Sequence, residues 1–211
     1  MTQQFVDRRD AGRKLGALLA TRTWKDPIVL GLPRGGIPVA YEVAQALHAP
    51  LDAFVVRKLG VPGHEELAMG AIASGGVRVL VPDVLAHSHV RAEMVDAVTE
   101  RERRELDRRE LTYRSGRALL SLSGKTVILV DDGIATGASM SAAARAVRTM
   151  GPASIVIATP VMSASVRSDL LRMADECVAV TEPEPLYAIG AWYDDFAQTS
   201  DAEVCALLGA A

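Results

Sequence analysis

Val127-Ile-Leu-Val-Asp-Asp-Gly-Ile-Ala-Thr-Gly-Ala-Ser139 decides the fold of this chain. Val127 to Val130 run without a polar break, as a parallel strand covered on both faces requires. Two adjacent carboxylates, Asp131 and Asp132, stand at its carboxyl end, where open α/β sheets place their ligands. Carboxylates only accept hydrogen bonds, so the pair suits two neighbouring sugar hydroxyls. Ala135, Thr136, Gly137, Ala138 and Ser139 follow. They offer backbone N–H groups, hydroxyls and the positive end of a helix dipole to a phosphate. Met140, Ala143, Ala144, Val147 and Met150 then recur at helical spacing, and Gly151-Pro152 ends the run.

The pattern repeats on both sides of this string. Asp7 to Ala20 predicts a helix with Leu15, Leu18 and Leu19 inward. Ile28-Val-Leu-Gly-Leu-Pro-Arg-Gly-Gly36 is a strand running into a glycine loop, and Ile37 to Leu47 a helix with Pro in its first turn. Leu51 to Val56 predicts one strand, and Leu59 to Glu66, rich in Gly and Pro, a loop. Leu67–Ala73 and Val77–Val81 flank Ser74-Gly-Gly76 as a β-hairpin. Ala92 to Arg114 is charged and free of Gly and Pro, which predicts a long helix. Its Glu100–Arg104, Glu105–Arg109 and Glu110–Arg114 pairs have the favoured i,i+4 direction. Strands at Ile155–Thr159 and Cys177–Val180 flank a helix over Ser163–Met173, and Asp201–Leu208 is a last helix. The βαβ alternation gives the α/β class, with a parallel sheet flanked by helices.

The Asp131–Ser139 string resembles the phosphoribosyl-pyrophosphate signature of type I phosphoribosyltransferases. The resemblance implies that Asp131 and Asp132 hold the ribose 2′ and 3′ hydroxyls, as catalytic and binding residues. It implies that Ala135, Thr136, Gly137, Ala138 and Ser139 hold the 5′-phosphate. Pro33-Arg-Gly-Gly36 is similar to the family's pyrophosphate loop, which often holds a cis peptide; Arg34, Gly35 and Gly36 become pyrophosphate contacts. Arg57-Lys58 is similar to a step that precedes the catalytic loop of adenine-type members, and Leu59–Glu66 stands for that loop. Tyr187 matches an aromatic that stacks on the base. Asp194 matches an Asp beside magnesium, most of whose ligands come from pyrophosphate. Hypoxanthine-guanine members have an Asp at the position of Ala135 and a late Lys, whereas this chain has no Lys after Lys125.

The resemblance thus implies transfer of ribose 5-phosphate from phosphoribosyl pyrophosphate to a purine, pyrimidine or related nitrogen base. Mg2+ is the implied cofactor, and a homodimer in the cytoplasm the implied setting. The implied fold is one phosphoribosyltransferase-like domain over residues 1–211, with its core at about 28–182. A small hood comes from 1–27 and 183–211, and a hairpin and helical insertion from about 67–117. A second reading keeps the fold for a regulator that senses phosphoribosyl pyrophosphate or nucleotides without transferase activity. The arginine-rich helix and Ala135 motivate it.

Composition bounds these readings. The chain of 211 residues is 49% hydrophobic but only 4% aromatic, suiting an aliphatic α/β core. A net charge of −3 argues against a dedicated nucleic-acid surface. The N-terminus lacks the apolar core of a signal peptide, and no run of ~18 apolar residues suggests a membrane span. Cys177 and Cys205 are expected as free thiols. Three motif fragments lead nowhere. Gly124-Lys-Thr126 lacks the earlier Gly of a Walker loop, His64-Glu65 lacks the second His of a zinc helix, and His87-x-His89 lacks a third ligand.

Overall fold

The computed structural model describes residues 5–88 and 90–209, so His89 lies outside the described residues. Helix α1 (Arg8–Leu19) leads to β1 (Pro27–Gly31), α2 (Gly36–Leu47) and β2 (Leu51–Ala53). Strands β3 (Val56–Val61), β4 (His64–Ala73) and β5 (Val77–Leu80) follow, then α3 (Pro82–Ser88) and α4 (Ala92–Arg114). The chain continues through β6 (Thr126–Val130), α5 (Ala138–Arg148), β7 (Ser154–Val161), α6 (Arg167–Leu170), β8 (Glu176–Thr181) and α7 (Asp201–Gly209). Five strands form a parallel sheet in the order β2-β1-β6-β7-β8; three form an antiparallel sheet, β3-β4-β5.

Strand β6 explains why the parallel sheet needs helices on both sides. Side chains alternate across a strand. Val127 and Leu129 enter a cluster with Met140, Ala143 and Val147 of α5. Ile128 and Val130 enter the opposite cluster with Leu15 and Leu19 of α1 and Val39 and Val43 of α2. All five β6 residues are buried, which is why the string reads as one apolar run. Helix α1 thus covers this face of the sheet through Leu15 and Leu19.

The antiparallel sheet carries the second core. Leu59, Met69 and Ile72 pack with Val95, Val98, Leu106 and Tyr113 of α4 and with Val204 and Leu208 of α7. The three predicted i,i+4 pairs of α4 all form, but the last one belongs to a buried network. Arg114 is 5% exposed. Its guanidinium donates to Asp52 Oδ1 (3.0 Å), Glu110 Oε1 (2.5 Å), Ser74 Oγ (3.3 Å) and the Ala53 carbonyl. It fastens the inserted helix to β2. At the other end of the parallel sheet Arg167 donates to the Cys177 carbonyl of β8 (2.9 Å).

Three expectations are corrected. The strand predicted over Leu51–Val56 divides at Phe54-Val55, because β2 pairs with β1 while β3 turns away to pair with β4. Leu59–Glu66 is the end of a β-hairpin. Pro62 and Gly63 (φ 80°) form its turn, with the residue placement of a type II turn. Ser163–Met173 is a 3-10 turn (Ala164–Val166) plus the short α6, not one helix. The Glu184 carboxylate takes hydrogen bonds from Ser163 Oγ (3.1 Å) and Ser165 N (3.0 Å), and such side-chain bonds compete with helix. Cys177 and Cys205 are free thiols. Among the described residues no helix is long and apolar enough to cross a membrane.

Candidate active site

Strand order places the site. From β1 the chain leaves through α2 on one face and returns at β2; from β6 it leaves through α5 on the other face and returns at β7. The crevice between β1 and β6 is therefore the topological switch point of the sheet. Gly31 is in register with Val130, so the loops after the two strands emerge side by side. One carries Pro33–Gly36, with a cis peptide between Pro33 and Arg34; the other carries Asp131–Gly137.

The loops touch through glycine. A Cβ on Gly36 would stand 2.8 Å from the Val130 carbonyl and 3.1 Å from Asp131 Oδ1, and one on Gly35 would collide with the Asp132 carboxylate. Asp131, Gly133, Ile134 and the Ala135–Ser139 loop line a cavity of about 190 Å3, with Met140 and Ile189 completing the lining. Ile134 anchors the loop, donating to Val161 O (2.9 Å) and accepting from Ser163 N (2.9 Å). Gly137 turns it at φ 72°, a conformation costly for other residues, so that α5 starts with its free N–H groups at the cavity.

The two acids sit in different environments. Asp132 N donates to Asp131 Oδ1 (2.9 Å). Burial and the neighbouring Asp132 charge hold the Asp131 carboxyl well above the usual range. Asp132 instead has a cation. Arg8 Nε meets its Oδ2 at 2.7 Å, with the two side chains 11% and 14% exposed. Tyr193 donates its hydroxyl to the Asp132 carbonyl (2.5 Å), and burial pushes that hydroxyl's pKa up, so it stays a donor.

The family model for the phosphoribosyl transferase domain matches residues 8–190. The chain belongs to this phosphoribosyl transferase family. Proteins from two strains of Mycobacterium tuberculosis, each carrying the provisional name phosphoribosyl transferase, are 48% identical over 204 residues, 97% of this chain. The chain spans about half, 46%, of the length of these curated relatives. The crystal structure of TT1426 from Thermus thermophilus superposes with a TM-score of 0.89 at 43% identity, covering 97% of both chains.

In this member of the family, the structure brings together Asp131, Asp132, Gly35, Gly36 and the Ala135–Ser139 loop. Other predicted residues lie elsewhere. Arg57 is paired with Glu102 of α4 (2.5 Å), and Lys58 with Glu66 across the hairpin (3.3 Å). Arg34 faces Asp201 of α7 at 3.8 Å. Tyr187 is 83% exposed and Asp194 is exposed; neither lines the cavity. Arg8, Tyr193 and Ile189 escaped the sequence reading. One signal for Arg8 existed. It begins a helix, where the dipole disfavours cations, so a partner outside the helix was implied.

Proposed function

We propose that the protein transfers ribose 5-phosphate from phosphoribosyl pyrophosphate to a nitrogen base. The juxtaposition of Asp131 and Asp132 with the Ala135–Ser139 cradle at the switch point carries this reading. The C1′–O bond breaks with its electrons leaving on pyrophosphate, and the base nitrogen bonds C1′ and gives up its proton to solvent. Asp131 and Asp132 accept hydrogen bonds from the ribose hydroxyls and favour the positive charge that develops on the ring. N–H groups at the start of α5, with Thr136 and Ser139, hold the 5′-phosphate. A cavity near 190 Å3 is below the ~300–1,000 Å3 of whole-ligand pockets, so it suits this end of the substrate only.

Gly35 and Gly36 bring their backbone to the pyrophosphate, and Arg34 of the same loop reaches it by leaving Asp201. Arg57 and Lys58 join them by exchanging Glu102 and Glu66 for phosphate oxygens. Tyr187, exposed, is available to stack on the base. Among the described residues no group of three or more His, Cys, Asp or Glu side chains is placed to hold a metal. That fits magnesium, which takes one or two carboxylates and completes its shell with water and substrate phosphates. Asp194 is the candidate protein ligand. Bound there, magnesium would neutralise charge on the departing pyrophosphate.

The test is pyrophosphate release from phosphoribosyl pyrophosphate, with magnesium, across purines, pyrimidines and related bases. Release with at least one base is expected, and its loss in the Asp131→Ala/Asp132→Ala double variant. Calorimetric binding with no turnover on any base would instead support the sensing reading, which Ala135 favours by leaving the loop without a carboxyl base. Unchanged affinity in the double variant would overturn both.

A further inference from the structure

Arg8 has no part in the chemistry proposed above, yet it touches the acid pair. Its guanidinium makes three contacts that no requirement of α1 explains. Nε bonds Asp132 Oδ2 at 2.7 Å, Nη1 bonds the Ala197 carbonyl at 2.6 Å, and the planar group lies 3.9 Å from the centre of the Phe196 ring. Phe196 packs on Tyr193 (4.9 Å between rings), and Tyr193 packs on Phe5 (5.3 Å). Tyr193 in turn holds the Asp132 main chain. Asp132 is thus gripped at its carboxylate and at its carbonyl by residues on opposite ends of the sequence. The grip lies beside the glycine loop: a Cβ on Gly35 would fall 3.1 Å from Arg8 Nε.

We propose that Arg8 is a positioning residue for the substrate site: it fixes the rotamer of Asp132 and offsets one charge of the acid pair, so that the pair receives a ribose diol. This rests on the reading of Asp131 and Asp132 as the ribose site. The chemistry asks for an arginine. A planar fork reaches a carboxylate and a carbonyl with separate nitrogens while lying flat on a ring, whereas a lysine would have to meet all three from a single Nζ. The site's ligand is polyanionic, so a cation that holds Asp132 also reduces the repulsion between Asp132 and the incoming phosphates.

The experiment is calorimetric titration of phosphoribosyl pyrophosphate into the full chain, in the wild type, Arg8→Ala and Arg8→Lys. Circular dichroism and thermal melting run alongside. Arg8→Ala is expected to bind about tenfold or more weakly, the scale of one charged hydrogen bond. Millimolar guanidinium should restore part of that affinity, and Arg8→Lys should fall between the two. A folded Arg8→Ala with wild-type affinity overturns the proposal. So does an affinity loss that guanidinium leaves unchanged while the melting temperature drops, which is the mark of a merely structural tether. If Arg8→Ala does not fold, wild-type affinity in Arg8→Lys overturns it. A wild type that does not bind removes the ribose reading and this proposal together; a wild type that binds isolates the fate of Arg8.

Discussion

At the scale of single residues, the acid pair sets stability against function. Asp131 is desolvated beside a second carboxylate, and its carboxyl holds a proton to higher pH than in the unfolded chain. An unfolded aspartate titrates near about 3.9. Above that pH the unfolded state releases a proton that the folded state still keeps, so stability falls as pH rises toward the folded-state value. Asp131→Asn has no such proton. Its melting temperature should match or trail that of the wild type below about pH 4 and exceed it increasingly at higher pH. Each kcal/mol relieved is worth about 2–4 °C in a chain of this size. A gap that does not change with pH would show that Asp131 is not the group responsible. The stabilised variant should also lose affinity for phosphoribosyl pyrophosphate, the usual exchange at a site that keeps unfavourable charge for a ligand.

At the scale of elements, the insertion helix α4 depends on one buried cation. Arg114→Ala would leave Asp52, 8% exposed, without its guanidinium, and the Ala53 carbonyl and Ser74 hydroxyl would lose a donor. Breaking a buried pair from one side costs about 3–5 kcal/mol. Urea denaturation should show a loss of that size, and much less for Arg104→Ala, whose pair with Glu100 is exposed. The contrast also marks what the sequence disclosed. Glu110–Arg114 and Glu100–Arg104 look alike as spacings; the approach of Asp52, Ala53 and Ser74 from distant parts of the chain separates them. Strand β6, its acids and its cradle were legible because strand, turn and helix cap are local chemistry. The hairpin tip was not. Gly60, Pro62 and Gly63 spell a loop, yet irregular pairing around Gly60 lets β3 pass close to Glu65. Arg57 and Lys58 were legible as a cationic step, but Glu102 and Glu66, which hold them, come from other parts of the chain.

At the scale of the whole molecule, the site is assembled from both ends of the sequence. Phe5 N bonds Trp192 O (3.0 Å), Asp194 N bonds Phe5 O (2.9 Å) and Asp195 N bonds Val6 O (2.9 Å), next to the Phe5, Tyr193 and Phe196 rings, the last of which lies against Arg8. A ligand that engages Asp132 therefore bears on the global fold. At a free concentration about a hundredfold above its Kd, phosphoribosyl pyrophosphate should add about 2.7 kcal/mol. Scanning calorimetry would register that as a rise of several degrees in the wild type and none in Asp131→Ala/Asp132→Ala. The two edge arginines reach further than the fold they close. Arg114 occupies a carbonyl of β2 and Arg167 one of β8, the outermost strands of the parallel sheet. A bare edge is a template on which a stranger's strand can grow. Lodged on Ala53, the Arg114 guanidinium takes one acceptor of the β2 border out of reach of an incoming strand.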